Sequence, residues 1–115
     1  MLSPYRVLDL TDEKGQLAGA MLADVGAEVI LIEPPEGSVS RTLGPWVKGR
    51  EGDPEASLRF WAYNRGKKSV TLDLTADAGR QKLLELASGA DLLIESGAPG
   101  DLASRGLGLD DLHAV

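Results

Sequence analysis

Cysteine is missing from the 115 residues, and histidine occurs once, at His113 close to the chain end. The first absence excludes disulfides, thiolate zinc sites and a cysteine nucleophile. The second leaves one imidazole with no obvious orienting acid, poor material for a nucleophilic triad, and His113 reads as an exposed helix residue. No apolar run approaches the roughly 18 residues that a membrane span needs. The opening Met1-Leu2-Ser3-Pro4-Tyr5-Arg6 has no signal-peptide core, so the chain reads as cytoplasmic, with no membrane partner. Positive charge is in the minority: 12 Lys and Arg stand against 18 Asp and Glu, a formal net charge of -6. A field of that sign argues against nucleic acid as a partner, so any anion recognition must come from a local cluster.

What is present is an alternation of strand and helix patterns. Arg6-Val7-Leu8-Asp9-Leu10 is β-prone, and Ala18, Met21, Leu22 and Val25 recur at helical spacing behind it. Gly26 stands where a helix-terminating glycine belongs. The run Glu28-Val29-Ile30-Leu31-Ile32-Glu33 then has the continuous apolar character of a strand buried on both faces. The same grammar returns later. Ser69 to Leu74 reads as a strand, Thr75 is placed to cap a helix from Ala76 to about Ser88, and Gly89-Ala90-Asp91-Leu92-Leu93-Ile94-Glu95 repeats the glycine-then-strand signature. Parallel strands need crossover helices, so the expected fold is α/β: a Rossmann-like open parallel sheet with helices on both faces.

Between the two units, residues 34–59 hold four prolines and four glycines, which reads as a long irregular excursion. The aromatics Trp46, Phe60, Trp61 and Tyr63 gather there and beside it, placed either to anchor the loop or to line a ligand groove or subunit contact. The loop Asn64-Arg65-Gly66-Lys67-Lys68-Ser69 carries three cations in six residues. It is read in two ways: a phosphate-docking element beside a strand end, or a solvated turn.

Two chemistries fail on the residues themselves. Thr11 to Gly19 lacks the Gly-x-Gly-x-x-Gly fingerprint and places acids where a dinucleotide's phosphates would sit, so Glu33 reads as structural and not as a ribose ligand. The paired acids Asp12/Glu13 and Asp110/Asp111 are sequence neighbours whose side chains diverge, which unsuits them to acid/base work as a couple. No residue of the chain is assigned a catalytic role, and no metal site is expected.

Taken in order, a series of segments resembles the amino-terminal part of the family III CoA-transferases, the group containing formyl-CoA and carnitine CoA-transferases and the α-methylacyl-CoA racemases. These segments are Arg6 to Thr11, Leu22 to Ile30, Ile32-Glu33-Pro34-Pro35, Asn64 to Leu74, Ala90 to Glu95 and Pro99-Gly100, and together they cover essentially the whole chain. The resemblance implies that residues 1–115 are a truncated N-terminal part of a Rossmann-like CoA-binding domain, followed by a smaller domain, in an interlocked homodimer. It implies coenzyme A as ligand and acyl-CoA and carboxylic acids as substrates. The transfer would run through an aspartyl acyl and CoA-thioester intermediate outside this chain, so the chain alone is expected to be inactive. By position it implies that Arg65, Lys67 and Lys68 contact CoA phosphates, with Asn64 and Tyr63 beside them, and that Arg41 and Arg105 are further contacts. Ser96-Gly97-Ala98-Pro99-Gly100 departs from the family's Asn-aromatic-x-Pro-Gly, Asp12-Glu13-Lys14-Gly15 replaces its usual entry to the first helix, and Pro34 stands where some relatives place an arginine. The alternatives are a racemase of the same family and a non-catalytic α/β binding module.

Overall fold

The computed structural model covers residues 1–115. The chain runs β1 (Arg6–Leu10), α1 (Gln16–Asp24), β2 (Glu28–Glu33), a 3-10 turn (Val39–Thr42), α2 (Leu58–Asn64), β3 (Lys68–Thr71), α3 (Asp77–Ser88), β4 (Leu92–Glu95), α4 (Asp101–Ser104) and α5 (Leu109–His113). The four strands form one parallel sheet in the order β3-β2-β1-β4, with Leu8 opposite Ile30 and Leu93, and Glu33 opposite Thr71. This is the expected open α/β sheet. No helix is long and apolar enough to cross a membrane.

Helices cover both faces because alternate residues of the inner strands are apolar in both directions. On one face Leu8, Ile30 and Ile32 pack with Leu83 of α3 and with Leu107, and Leu84, Leu86 and Leu93 extend the cluster. On the other, Val7, Ala27 and Val29 meet Leu22 and Ala23 of α1. Gly26 ends the first crossover at φ +105, a conformation that costs glycine nothing and a β-carbon-bearing residue a good deal.

Two boundaries and one loop differ from expectation. β3 spans Lys68–Thr71 instead of continuing to Leu74, because Asp73 turns the chain by accepting hydrogen bonds from the Thr75 amide (3.0 Å) and hydroxyl. That leaves Thr75 no hydroxyl for the helix, and α3 starts at Asp77 without a side-chain cap. The excursion of residues 34–59 is also more ordered than its proline and glycine content implies. The 3-10 turn follows Glu33, a bridge joins Trp46 to Ser57, and Phe60, Trp61 and Tyr63 lie on α2. Ser57 starts that helix: its Oγ accepts from the Phe60 amide at 3.1 Å and donates to the Leu43 carbonyl at 2.7 Å.

Candidate functional site

β1, β2 and β3 step across the sheet in one direction, and β4 lies on the other side of β1. The chain reversal between β1 and β4 opens a crevice at their carboxyl ends, the place where ligands of open α/β sheets dock. A cleft of about 670 Å³ occupies it, floored by Leu10, Ile32, Leu72 and Leu74. Asp12 and Glu95 stand on one wall, Pro34, Pro35 and Glu36 on another, and Asp73, Thr75, Asp101 and Arg105 close the rest. Arg105 is the single cation of this lining.

The rim carboxylates are held ionised by their neighbours. The Thr75 hydroxyl and amide hold Asp73 below the usual carboxylate range, with a smaller contribution from Arg105. Burial opposes ionisation of Asp12, yet hydrogen bonds from the Lys14 amide and the Ser96 hydroxyl outweigh it and bring its pKa down. The Ser96 hydroxyl also accepts from the Asp12 amide at 3.0 Å, so β1 and β4 are stitched together at the floor of the crevice.

Behind the cleft, between α1, α2 and the sheet, lies a buried polar network. Lys67 donates to Asp9 Oδ2 at 2.6 Å, to the Gln16 carbonyl at 2.9 Å and to Asn64 Oδ1 at 2.7 Å, and its side chain is 1% exposed. Burial pulls its pKa below the ordinary lysine value, and the hydrogen bond and charge of Asp9 offset this in part. Asp9 Oδ1 accepts from the amide and hydroxyl of Thr11. The Gln16 amide nitrogen donates to the Thr11 carbonyl at 3.3 Å and to Ser38 Oγ at 3.0 Å, while Asn64 Nδ2 donates to Gln16 Oε1 at 3.0 Å. Gly19 makes room for all this: a Cβ there would fall 2.2 Å from Asp9 Oδ2 and 3.0 Å from Lys67 Nζ.

A second polar knot joins it at the end of β2. Arg41 grips Glu33 with two 2.8 Å bonds, and Ser38 N and Ser69 Oγ donate to the same carboxylate at 2.9 and 3.0 Å. The guanidinium lies 3.8 Å over the Phe60 ring. Bonding to Arg41 holds the Glu33 carboxyl below its usual range against the opposing effect of burial.

The seven residues expected to meet one ligand therefore separate. Lys67, expected at the CoA phosphates, lies in the interior with all three of its N–H bonds engaged within the protein. Asn64 is buried beside it. Arg41 is likewise turned onto Glu33 and Phe60, with its remaining nitrogen 3.3 Å from the Pro54 carbonyl and 3.6 Å from Glu55. Arg65 and Lys68 are exposed at the amino ends of the strands, paired at 2.7 Å with Asp24 and 3.4 Å with Glu28. Half-buried Tyr63 lies under the Arg59 guanidinium, 5.6 Å away. Arg105 alone belongs to the cleft. Gln16 and Asp9 were missed as site-building residues, although an aspartate inside the apolar strand Val7–Leu10 signals a buried cation opposite it.

Comparison with known proteins adds four similarities. Residues 2–115 match the model of CoA-transferase family III. The chain is 45% identical over 114 residues to the "Probable fatty acyl-CoA transferase Rv3272" of Mycobacterium tuberculosis (strain ATCC 25618 / H37Rv), covering 98% of this chain and 28% of the relative. It is 44% identical over 110 residues to the "Succinyl-CoA:(R)-benzylsuccinate CoA-transferase subunit BbsE" of Thauera aromatica, covering 96% and 27%. A crystal structure of a CAIB/BAIF family protein from Brucella suis superposes with a TM-score of 0.88 at 36% identity, over 98% of this chain and 30% of that one. The chain thus spans about 28% of the length of the first of these relatives.

Proposed function

The chain belongs to CoA-transferase family III, and from that membership we propose that it supplies the CoA-binding part of an enzyme that moves CoA between carboxylic acids. The observation that carries the reading is the cleft at the carboxyl ends of β1 and β4. Its leucine and isoleucine floor suits the uncharged pantetheine arm, whose amide N–H groups meet acceptors in the rim carboxylates. Those carboxylates repel phosphates, so the phosphates of CoA lie toward Arg105, the one cation of the lining. CoA transfer itself requires a nucleophile outside these residues; the CoA donor is an acyl-CoA thioester, released as its free acid, and the acceptor is a carboxylic acid, which leaves as the new thioester.

CoA titrated calorimetrically against the full-length protein tests the placement. Arg105→Glu is expected to weaken CoA binding by about tenfold or more, a change equal to one lost charge-assisted contact. The double variant Arg65→Ala/Lys68→Ala is expected to change it less than about twofold, because those exposed cations sit at the opposite end of the strands. The reverse pattern would move the site to the basic loop.

A further inference from the structure

The cleft has two walls, and one buried side chain ties them together. Asp12 stands on the wall formed by the β1–α1 connection, and Pro34, Pro35 and Glu36 stand on the wall that follows β2. Each wall is attached from behind to the same group. The Gln16 amide nitrogen donates to the carbonyl of Thr11, the residue before Asp12, and to Ser38 Oγ, two residues beyond Glu36. Gln16 is 1% exposed, so its amide has no water to fall back on. Its oxygen accepts from Asn64, which Lys67 holds in turn against Asp9. Ser38 is fixed from its other side by Glu33, through the 2.9 Å bond from its amide.

We propose that Gln16 is a positioning residue for CoA: its side-chain amide clamps the two cleft walls at one separation without touching the ligand. The proposal rests on the reading of the cleft as the CoA site. Removing the amide leaves the Thr11 carbonyl to find another partner and the Ser38 hydroxyl bonded to Ser40 alone, and the walls lose their common anchor. CoA must then order them on binding, which lowers affinity while leaving every cleft-lining side chain in place.

The experiment uses the full-length protein, with CoA titrated at 10 °C, well below melting, alongside thermal melts. Gln16→Met keeps side-chain length and removes the clamp; Ser38→Ala cuts it at one wall only, and with it the contacts of the Ser38 hydroxyl with the Ser40 hydroxyl and amide. The expected result is a CoA Kd raised about tenfold in Gln16→Met and about threefold in Ser38→Ala, each still cooperatively folded at 10 °C. A lowered melting temperature with an unchanged Kd in both would overturn the proposal and leave Gln16 a purely structural residue. If Gln16→Met does not fold, Ser38→Ala decides by the same criterion. Arg105→Glu separates the two levels. If it weakens CoA and the clamp variants do not, the positioning role fails and the cleft reading stands; if it has no effect, the cleft reading fails and the proposal with it.

Discussion

Lys67 and Asp9, 58 residues apart in sequence, meet as a buried ion pair at 2.6 Å, with side chains 1% and 0% exposed. The pair joins the strand at the middle of the sheet to the loop that enters its edge strand. Neither charge reaches water, so each depends on the other.

That dependence separates two variants. Lys67→Met leaves a buried, unpaired Asp9 and is expected to cost about 3–5 kcal/mol of stability, whereas adding Asp9→Asn to it removes the stranded charge and recovers much of the loss. Denaturant unfolding of wild type, single and double variants measures this. A double variant as unstable as the single would mean that packing around Lys67, and not its charge, holds α2 on α1.

Acid acts through Glu33. Its folded pKa lies below the ordinary value of 4.5, so its contribution to stability is present above that pH and is lost as pH falls through the folded value. Glu33→Gln is expected to lower the melting temperature at pH 7 and to flatten its decline below about pH 4.5. Melting curves from pH 7 to pH 3 test both, and parallel declines for variant and wild type would remove Glu33 from the acid response.

At Gly79 a rule of helix formation is reversed. Replacing a helical glycine by alanine ordinarily gains about 0.8–1 kcal/mol. A Cβ at Gly79 would fall 1.9 Å from the Asp73 carbonyl oxygen and 2.6 Å from its carbon, in the turn that leads into α3. Gly79→Ala is therefore expected to destabilise the protein by about 1–3 kcal/mol. A higher melting temperature would show that the turn shifts freely.

The ordered excursion hangs on Ser57, which is fully buried. Ser57→Ala removes the α2 cap and leaves the Leu43 carbonyl without its 2.7 Å partner, an expected loss of about 1–2 kcal/mol. Amide exchange should quicken first at Phe60, whose N–H loses its acceptor. Unchanged protection there would show that water replaces the cap at no cost.

The sheet and its main crossovers were determined locally. The buried run from Val29 to Ile32, the glycine after α1 and the leucines of α3 each state their own burial through spacing, because helix and strand periods are properties of a few adjacent residues. The short α2 was hidden, since seven residues beginning with Leu58 after a proline- and glycine-rich stretch carry little periodic signal, and the partners of Phe60 and Asn64 lie on distant segments. The early end of β3 turned on whether the Thr75 hydroxyl bonds forward to a helix or back to Asp73, a choice made by the turn geometry. The candidate site was least legible. A lysine in a basic loop looks the same in sequence whether it meets solvent, a phosphate or a buried carboxylate. Only the tertiary packing, which sets α1 and α2 beside β1 and so brings Asp9, Gln16 and Asn64 around one ammonium, turned Lys67 inward, left Arg65 and Lys68 outside, and put Arg105 alone at the cleft.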